Sequence, residues 1–214
     1  VSAVMEFLQS TFTPLVFVFT VSNLAAMGLQ VSLPEVMEAL KNRAAIVLIC
    51  VWGWILGPAL GYLITLLLPL EEPYRVVILL ASLAPCAPFL QQMVGKASGD
   101  ISFAGALIPL VAVGTVILMP VMAPFLIKGL TINAAALAKP LLLTILLPLL
   151  IGAAIRHYYG TTATRVYPAV KVLAKLSTLL TVLWCLILFG KDMFNTAGQF
   201  ALMAMTLFMV GMAL

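Results

Sequence analysis

Acidic side chains are scarce in this 214-residue sequence, and none falls inside a long apolar run. Glu6, Glu35, Glu38, Glu71, Glu72, Asp100 and Asp192 all map to the ends of such runs or to the segments between them. That placement leaves no carboxylate of the kind that relays protons or holds sodium within a bilayer. Histidine occurs once, at His157, and neither His-Glu-x-x-His nor Gly-x-Ser-x-Gly is present. A hydrolase acting within the membrane has no visible constellation, so the chain is not read as an enzyme. The three cysteines, Cys50, Cys86 and Cys185, have the spacing of neither a zinc motif nor a disulfide framework. Charged residues form 8% of the chain, where ordinary soluble domains carry about a quarter. The basic ones lie singly between apolar segments, which argues against a nucleic-acid surface. No Ser/Gly-rich or charged linker interrupts the chain, and its first nine residues lack the basic region of a signal peptide.

What remains is apolar: 64% hydrophobic residues and a mean hydropathy of +1.22. A soluble fold of this size could not cover so much apolar surface. The sequence predicts an all-α, polytopic membrane protein whose residues 1–214 form a single embedded domain, surrounded by lipid. A start at Val1 and an end inside the run 200–214 lead to the expectation that the domain is incomplete at both ends. Seven segments are predicted, at 12–30, 45–69, 75–97, 101–127, 135–158, 168–190 and 198–214. Loops are expected at 33–43, 71–73, 98–100 and 160–167, where Pro, Gly and charge gather. Seven basic residues (Lys41, Arg43, Lys96, Arg156, Arg165, Lys171, Lys175) fall on one side of this layout and four (Arg75, Lys128, Lys139, Lys191) on the other. The richer side should face the cytoplasm of a plasma (inner) membrane.

The third segment is interrupted by Pro85-Cys86-Ala87-Pro88. A proline inside a helix removes a backbone hydrogen bond and clashes one turn back, at about 3 kcal/mol or more. Hydrocarbon cannot satisfy the freed groups, so broken backbone belongs inside protein or beside a water-filled cavity. Secondary transporters build their sites from such discontinuous helices. A second half-helix starting near Pro88 would aim the amides of Phe89, Leu90 and Gln91 into a cavity, suited to an anion. Neighbouring helices repairing a simple kink are the alternative. Gln91 and Gln92 point to different faces, one toward substrate and one toward a neighbouring helix, or both serve as interhelical glue. Asn23 in the first segment has the same two readings. Cys86 is a small packing residue or a soft ligand, and His157 with Arg156, Tyr158 and Tyr159 reads as an interfacial belt. Small polar openings at Thr11-Phe12-Thr13 and Leu176-Ser177-Thr178 hint at an internal repeat.

These features together resemble the bile acid:sodium symporter family. The similarity is collinear: Met27-Gly28-Leu29, then Lys41 to Arg43 ahead of Gly57-Pro58, then Ala84-Pro85 at the family's spacing from Gly99-Asp100. Met119-Pro120 to Pro124-Phe125 and Leu147-Pro148-Leu149-Leu150-Ile151-Gly152 follow in order. The resemblance implies ten helices in two inverted repeats, with two broken helices crossing at the substrate and sodium sites. It also implies that the first helix and the last two lie outside this chain, and with them the second broken helix. The implied function is secondary active transport of a small organic anion by alternating access, with docking at Pro85, Cys86, Ala87, Pro88, Phe89, Gln91 and Gln92, and at Asn23.

Where the family has two glycines and a Ser-Asn pair, this chain has Cys86-Ala87 and Leu90-Gln91. Where relatives offer hydroxyls it has Ala104 and Ile108, and the family's glutamine in the preceding span falls near Gly53. Of these positions Gln91 alone carries an oxygen that could coordinate a hard cation. No cofactor is implied, and sodium or a proton is the candidate coupling ion. Ala84-Pro85-Cys86 also resembles the related arsenite permeases, an alternative in which Cys86 binds a metalloid. A non-transporting membrane sensor or assembly partner on the same scaffold is a third reading. The substitutions predict weak or absent sodium dependence; a steep sodium requirement abolished by changes at Gln91 would overturn that.

Overall fold

The computed structural model describes residues 2–84, 101–126, 134–196 and 201–213. Among them the regular elements are all helical: α1 (Ser2–Gln30), α2 (Leu33–Lys41), α3 (Arg43–Val51), α4 (Gly57–Leu67), α5 (Glu72–Ser82), α6 (Ile101–Leu126), α7 (Ala134–Leu141), α8 (Leu147–Tyr158), α9 (Gly160–Thr196) and α10 (Ala201–Ala213). Two π-helical turns, Trp52–Leu56 and Leu142–Leu146, join α3 to α4 and α7 to α8. Five stretches are long and apolar enough to cross a bilayer: Leu8–Gln30, Ile46–Leu67, Pro109–Leu126, Ala138–Tyr158 and Gly160–Gly190. Their outer surfaces are apolar too, with Leu67 71% and Phe125 79% exposed, as befits side chains that face lipid. The protein is a multi-pass integral membrane protein.

The structure corrects two of the expected loops. Residues 33–41 form α2, a helix opened by Pro34, which suits the first turn because its missing N–H has no partner there anyway. Its apolar residues Leu33, Val36, Met37 and Leu40 recur at the spacing of one helix face. Val36 packs with Ile49, Leu107 and Leu110, while Met37 remains 60% exposed. At the other site the helix starts at Gly160, so α9 passes straight through Pro168. With 37 residues α9 is about 55 Å long, well beyond the roughly 30 Å of hydrocarbon. The excess is taken up by tilt or by turns outside the hydrocarbon.

Each π turn is followed, two residues later, by a proline, Pro58 or Pro148. A proline ring clashes with the carbonyl four residues back. Here Gly57 donates to the Trp52 carbonyl and Leu147 to the Leu142 carbonyl, five residues back in both cases. The wider turn moves the obstructing carbonyl aside, so the rod continues without a break.

Two sets of helices pack around separate cores. In the first, α1 lies against α8 and α9, with Leu24, Met27 and Leu149 buried together with Ala112 of α6. Gly28 and Gly152 mark the α1–α8 crossing. A Cβ on Gly152 would stand 2.7 Å from the Ala25 carbonyl and 2.9 Å from the Gly28 Cα. Backbones this close are the usual way membrane helices gain van der Waals contact. In the second set, Ile64 of α4, Ile78 of α5, and Ala204 and Phe208 of α10 close over Leu70. Gly28→Ala or Gly152→Ala should cost about 1–3 kcal/mol through overpacking. Gly190→Ala, whose Cβ would meet nothing within 4 Å, should be neutral or stabilising. Thermal unfolding in detergent separates the two outcomes.

Candidate substrate site at the interrupted helix

α5 is built to stop short. Glu71 caps its start in an extended conformation, Pro73 occupies the first turn, and the Glu72 carboxylate sits at the positive end of the dipole. Eleven residues later the helix ends at Ser82, after about 16 Å, roughly half the hydrocarbon thickness. The termination is chemical. Pro85 disfavours helical geometry at Ala84, and the last amides turn back in a tightened coil. Leu83 N–H reaches the Leu79 and Leu80 carbonyls, and Ala84 N–H reaches that of Ala81. The Ser82 hydroxyl adds a 2.7 Å bond to the Leu79 carbonyl.

α4 and α10 hold this end in place. Ser82 and Leu83 are 2% and 1% exposed, against a face of α4 formed by Gly57 and Gly61. A Cβ on Gly61 would stand 2.7 Å from the Ser82 Cβ, so only glycine admits the serine at this crossing. α10 packs into the same cluster: Leu60 fills the space over Gly211, and the Trp52 indole donates 3.2 Å to the Met212 carbonyl. The C-terminal, electronegative end of α5 is thereby directed at the segment that begins with Pro85.

The predicted contacts Pro85, Cys86, Ala87, Pro88, Phe89, Leu90, Gln91 and Gln92 lie outside the described residues. Ala104 and Ile108 fall in the first turns of α6, and Gly53 is buried within the first π turn. The residue after it went unremarked in the sequence. The Trp54 ring lies over Gly114 of α6, where any Cβ would overlap it, and its Nε1 is buried without a hydrogen-bond partner. The available signal was a tryptophan in mid-span, whose N–H must find an acceptor or bear the cost of having none. Among the described residues no group of three His, Cys, Asp or Glu converges, and Cys50 and Cys185 are free thiols.

Asn23 is placed in a polar seam between α1 and α9. Its amide nitrogen donates 2.8 Å to the Phe19 carbonyl, 3.2 Å to Thr178 Oγ1 and, at 3.5 Å, to the Ala174 carbonyl. Beside it the Ser22 and Ser177 hydroxyls meet at 3.0 Å. Farther along, Trp184 Nε1 donates to Thr11 Oγ1 at 3.1 Å, and Phe12 stacks edge-on against Phe189. Contacts that climb one helix while descending the other make α1 and α9 antiparallel. Of the two readings of Asn23, the interhelical one has hydrogen bonds in this structure. Ser22 and Ser177 were not singled out as partners, because a small hydroxyl in an apolar run can equally bond its own preceding turn, as both also do.

Against known proteins, the model of the Sodium Bile acid symporter family matches residues 14–197, a range that takes in α5, the interruption and the α1–α9 seam. No curated protein matches the chain.

Asn23→Ala should lower stability by about 0.6 kcal/mol, and by no more than about 1.7, while leaving the KM for transported substrate unchanged. Thermal unfolding and concentration-dependent uptake test the two halves of that statement.

Proposed function

Since the chain belongs to the sodium bile acid symporter family, we propose that it carries a small organic anion across the plasma (inner) membrane by alternating access, docking it at residues 85–92. The family makes it a secondary transporter in the broad sense. The finer reading rests on one observation: α5 ends at Ser82 after 11 residues, about half the length a crossing needs, packed against α4 and α10 and just ahead of Pro85. A terminated half-helix in hydrocarbon leaves its last carbonyls to be satisfied by cavity water, and in this reading the anion docks beyond them, on amides and not on that electronegative end.

In this reading the segment after Pro88 resumes as a helix, and the amides near Phe89 and Gln91 bind the anionic group. The Gln91 or Gln92 amide adds orientation. The two helix sets give the motion its bodies: α1, α6 and α8 share one core with α9 packed on α1, while α4, α5 and α10 share another. Access alternates as the second set rocks against the first. Coupling through the family's sodium positions is weak, because Leu90, Ala104 and Ile108 offer a cation no side-chain oxygen.

Purified protein in liposomes should take up a radiolabelled organic anion under an imposed gradient. Gln91→Leu should raise KM about tenfold or more, the cost of one lost hydrogen bond to a charged group. Absence of flux under every imposed gradient would overturn the proposal, and ligand binding without flux would turn it into a sensor.

A further inference from the structure

Away from the interrupted helix, α1, α8 and α9 enclose a pocket of about 230 Å³ lined by Leu29, Gln30, Arg156, Ala163, Thr164 and Tyr167. That is far more than the roughly 10–15 Å³ that admits one water, so the space accepts a polyatomic group. Its position is set by the spans themselves. The apolar stretch of α1 ends at Gln30, that of α8 ends at Tyr158, and that of α9 begins at Gly160. All three boundaries meet at the pocket, which places it at the level of lipid headgroups.

Its chemistry is that of an anion site. No carboxylate lines it, and Arg156, half-buried there, makes no ion pair among the described residues. The guanidinium fork matches two oxygens of one phosphate. Gln30 and Tyr167 contribute an amide and a phenol as further donors. The Thr164 hydroxyl has committed its hydrogen to the Thr161 and Gly160 carbonyls, at 2.8 and 3.2 Å, so it can only accept. Leu29 and Ala163 supply an apolar wall. Beside it stands Lys171, whose ammonium lies 5.3 Å from the centre of the Tyr167 ring. This is the side richer in Lys and Arg, which faces the leaflet where anionic lipids concentrate.

We propose that this pocket binds the phosphate of an anionic phospholipid, held by Arg156 with Gln30 and Tyr167, and that the site is separate from the transport pathway. The lipid would bridge α1, α8 and α9 where they leave the membrane, so occupancy should stabilise that helix set.

The test is a titration of the purified protein in neutral detergent with short-chain phosphatidylglycerol, phosphatidylcholine or inorganic phosphate. Thermal unfolding and native mass spectrometry provide the readouts. Phosphatidylglycerol should raise the unfolding midpoint and remain bound, and phosphatidylcholine should do neither. Arg156→Gln should weaken the apparent affinity about tenfold or more, whereas Arg75→Gln, on the opposite side, should leave it unchanged. Tyr167→Phe removes one hydroxyl and should weaken binding several-fold, which keeps the proposal testable if the arginine variant does not fold. Equal responses to both lipids, or an undiminished response in Arg156→Gln and Tyr167→Phe, would overturn it. A matching shift from inorganic phosphate alone would overturn the lipid as the source and assign the site to a soluble phosphate.

Discussion

A peptide group in hydrocarbon has no water to bond to, and an unpaired one costs several kcal/mol. α5 nevertheless ends after 11 residues, about half of what a crossing needs, and the helices around it are arranged to make that end tolerable. The last amides fold back on the Leu79, Leu80 and Ala81 carbonyls. Ser82 is sealed against Gly57 and Gly61, and α10 packs into the same core as α4 and α5. What stays open is the direction the helix was travelling. A fold that keeps such an end must put something polar beyond it, and the proposed docking site at residues 85–92 rests on that requirement.

The two helix sets are held by different forces. Between α1 and α8 the adhesive is proximity, with glycines bringing backbones almost into contact. Between α1 and α9 it is a line of hydroxyls and one amide, each of which also bonds its own helix. The second type is individually weak, but it fixes the angular setting of α9, a helix otherwise sheathed in lipid-facing Leu and Val. Polar side chains here specify which face of a uniformly greasy helix turns inward.

The crossing segments could be read from hydropathy because a bilayer demands about 20 apolar residues in a row, and few other structures do. The predicted 45–69 and 135–158 correspond to Ile46–Leu67 and Ala138–Tyr158. Short elements outside that demand were harder. α2 was taken for a loop because Pro34 and three charges in nine residues read as a break between spans, although Leu33, Val36, Met37 and Leu40 do recur at helical spacing. Gly160 and Pro168 suggested a loop where α9 runs unbroken, with Pro168 more than two turns inside the helix. The stop of α5 ahead of Pro85 was signalled by the proline pair, although prolines alone do not decide it, since α6 runs through Pro109, Pro120 and Pro124; Ser82 as the stopping point was not legible. Arg156 and its neighbours were recognised as interfacial, yet the pocket depends on Gln30 and Thr164 arriving from other helices. No pattern along one segment encodes that convergence.

The first π turn has an effect on phase. In an α-helix each residue advances the chain by about 100° around the axis. A turn that absorbs one extra residue sets all later side chains back by about that angle relative to those before it. Gly57 and Gly61 follow the turn at Trp52–Leu56 directly. A helical wheel drawn through residues 43–67 as one α-helix would therefore point those glycines about a quarter-circle away from Ser82. The extra residue acts as a fixed rotational offset between the two halves of the rod: the first half is phased to α2 and α6, and the second to the broken helix.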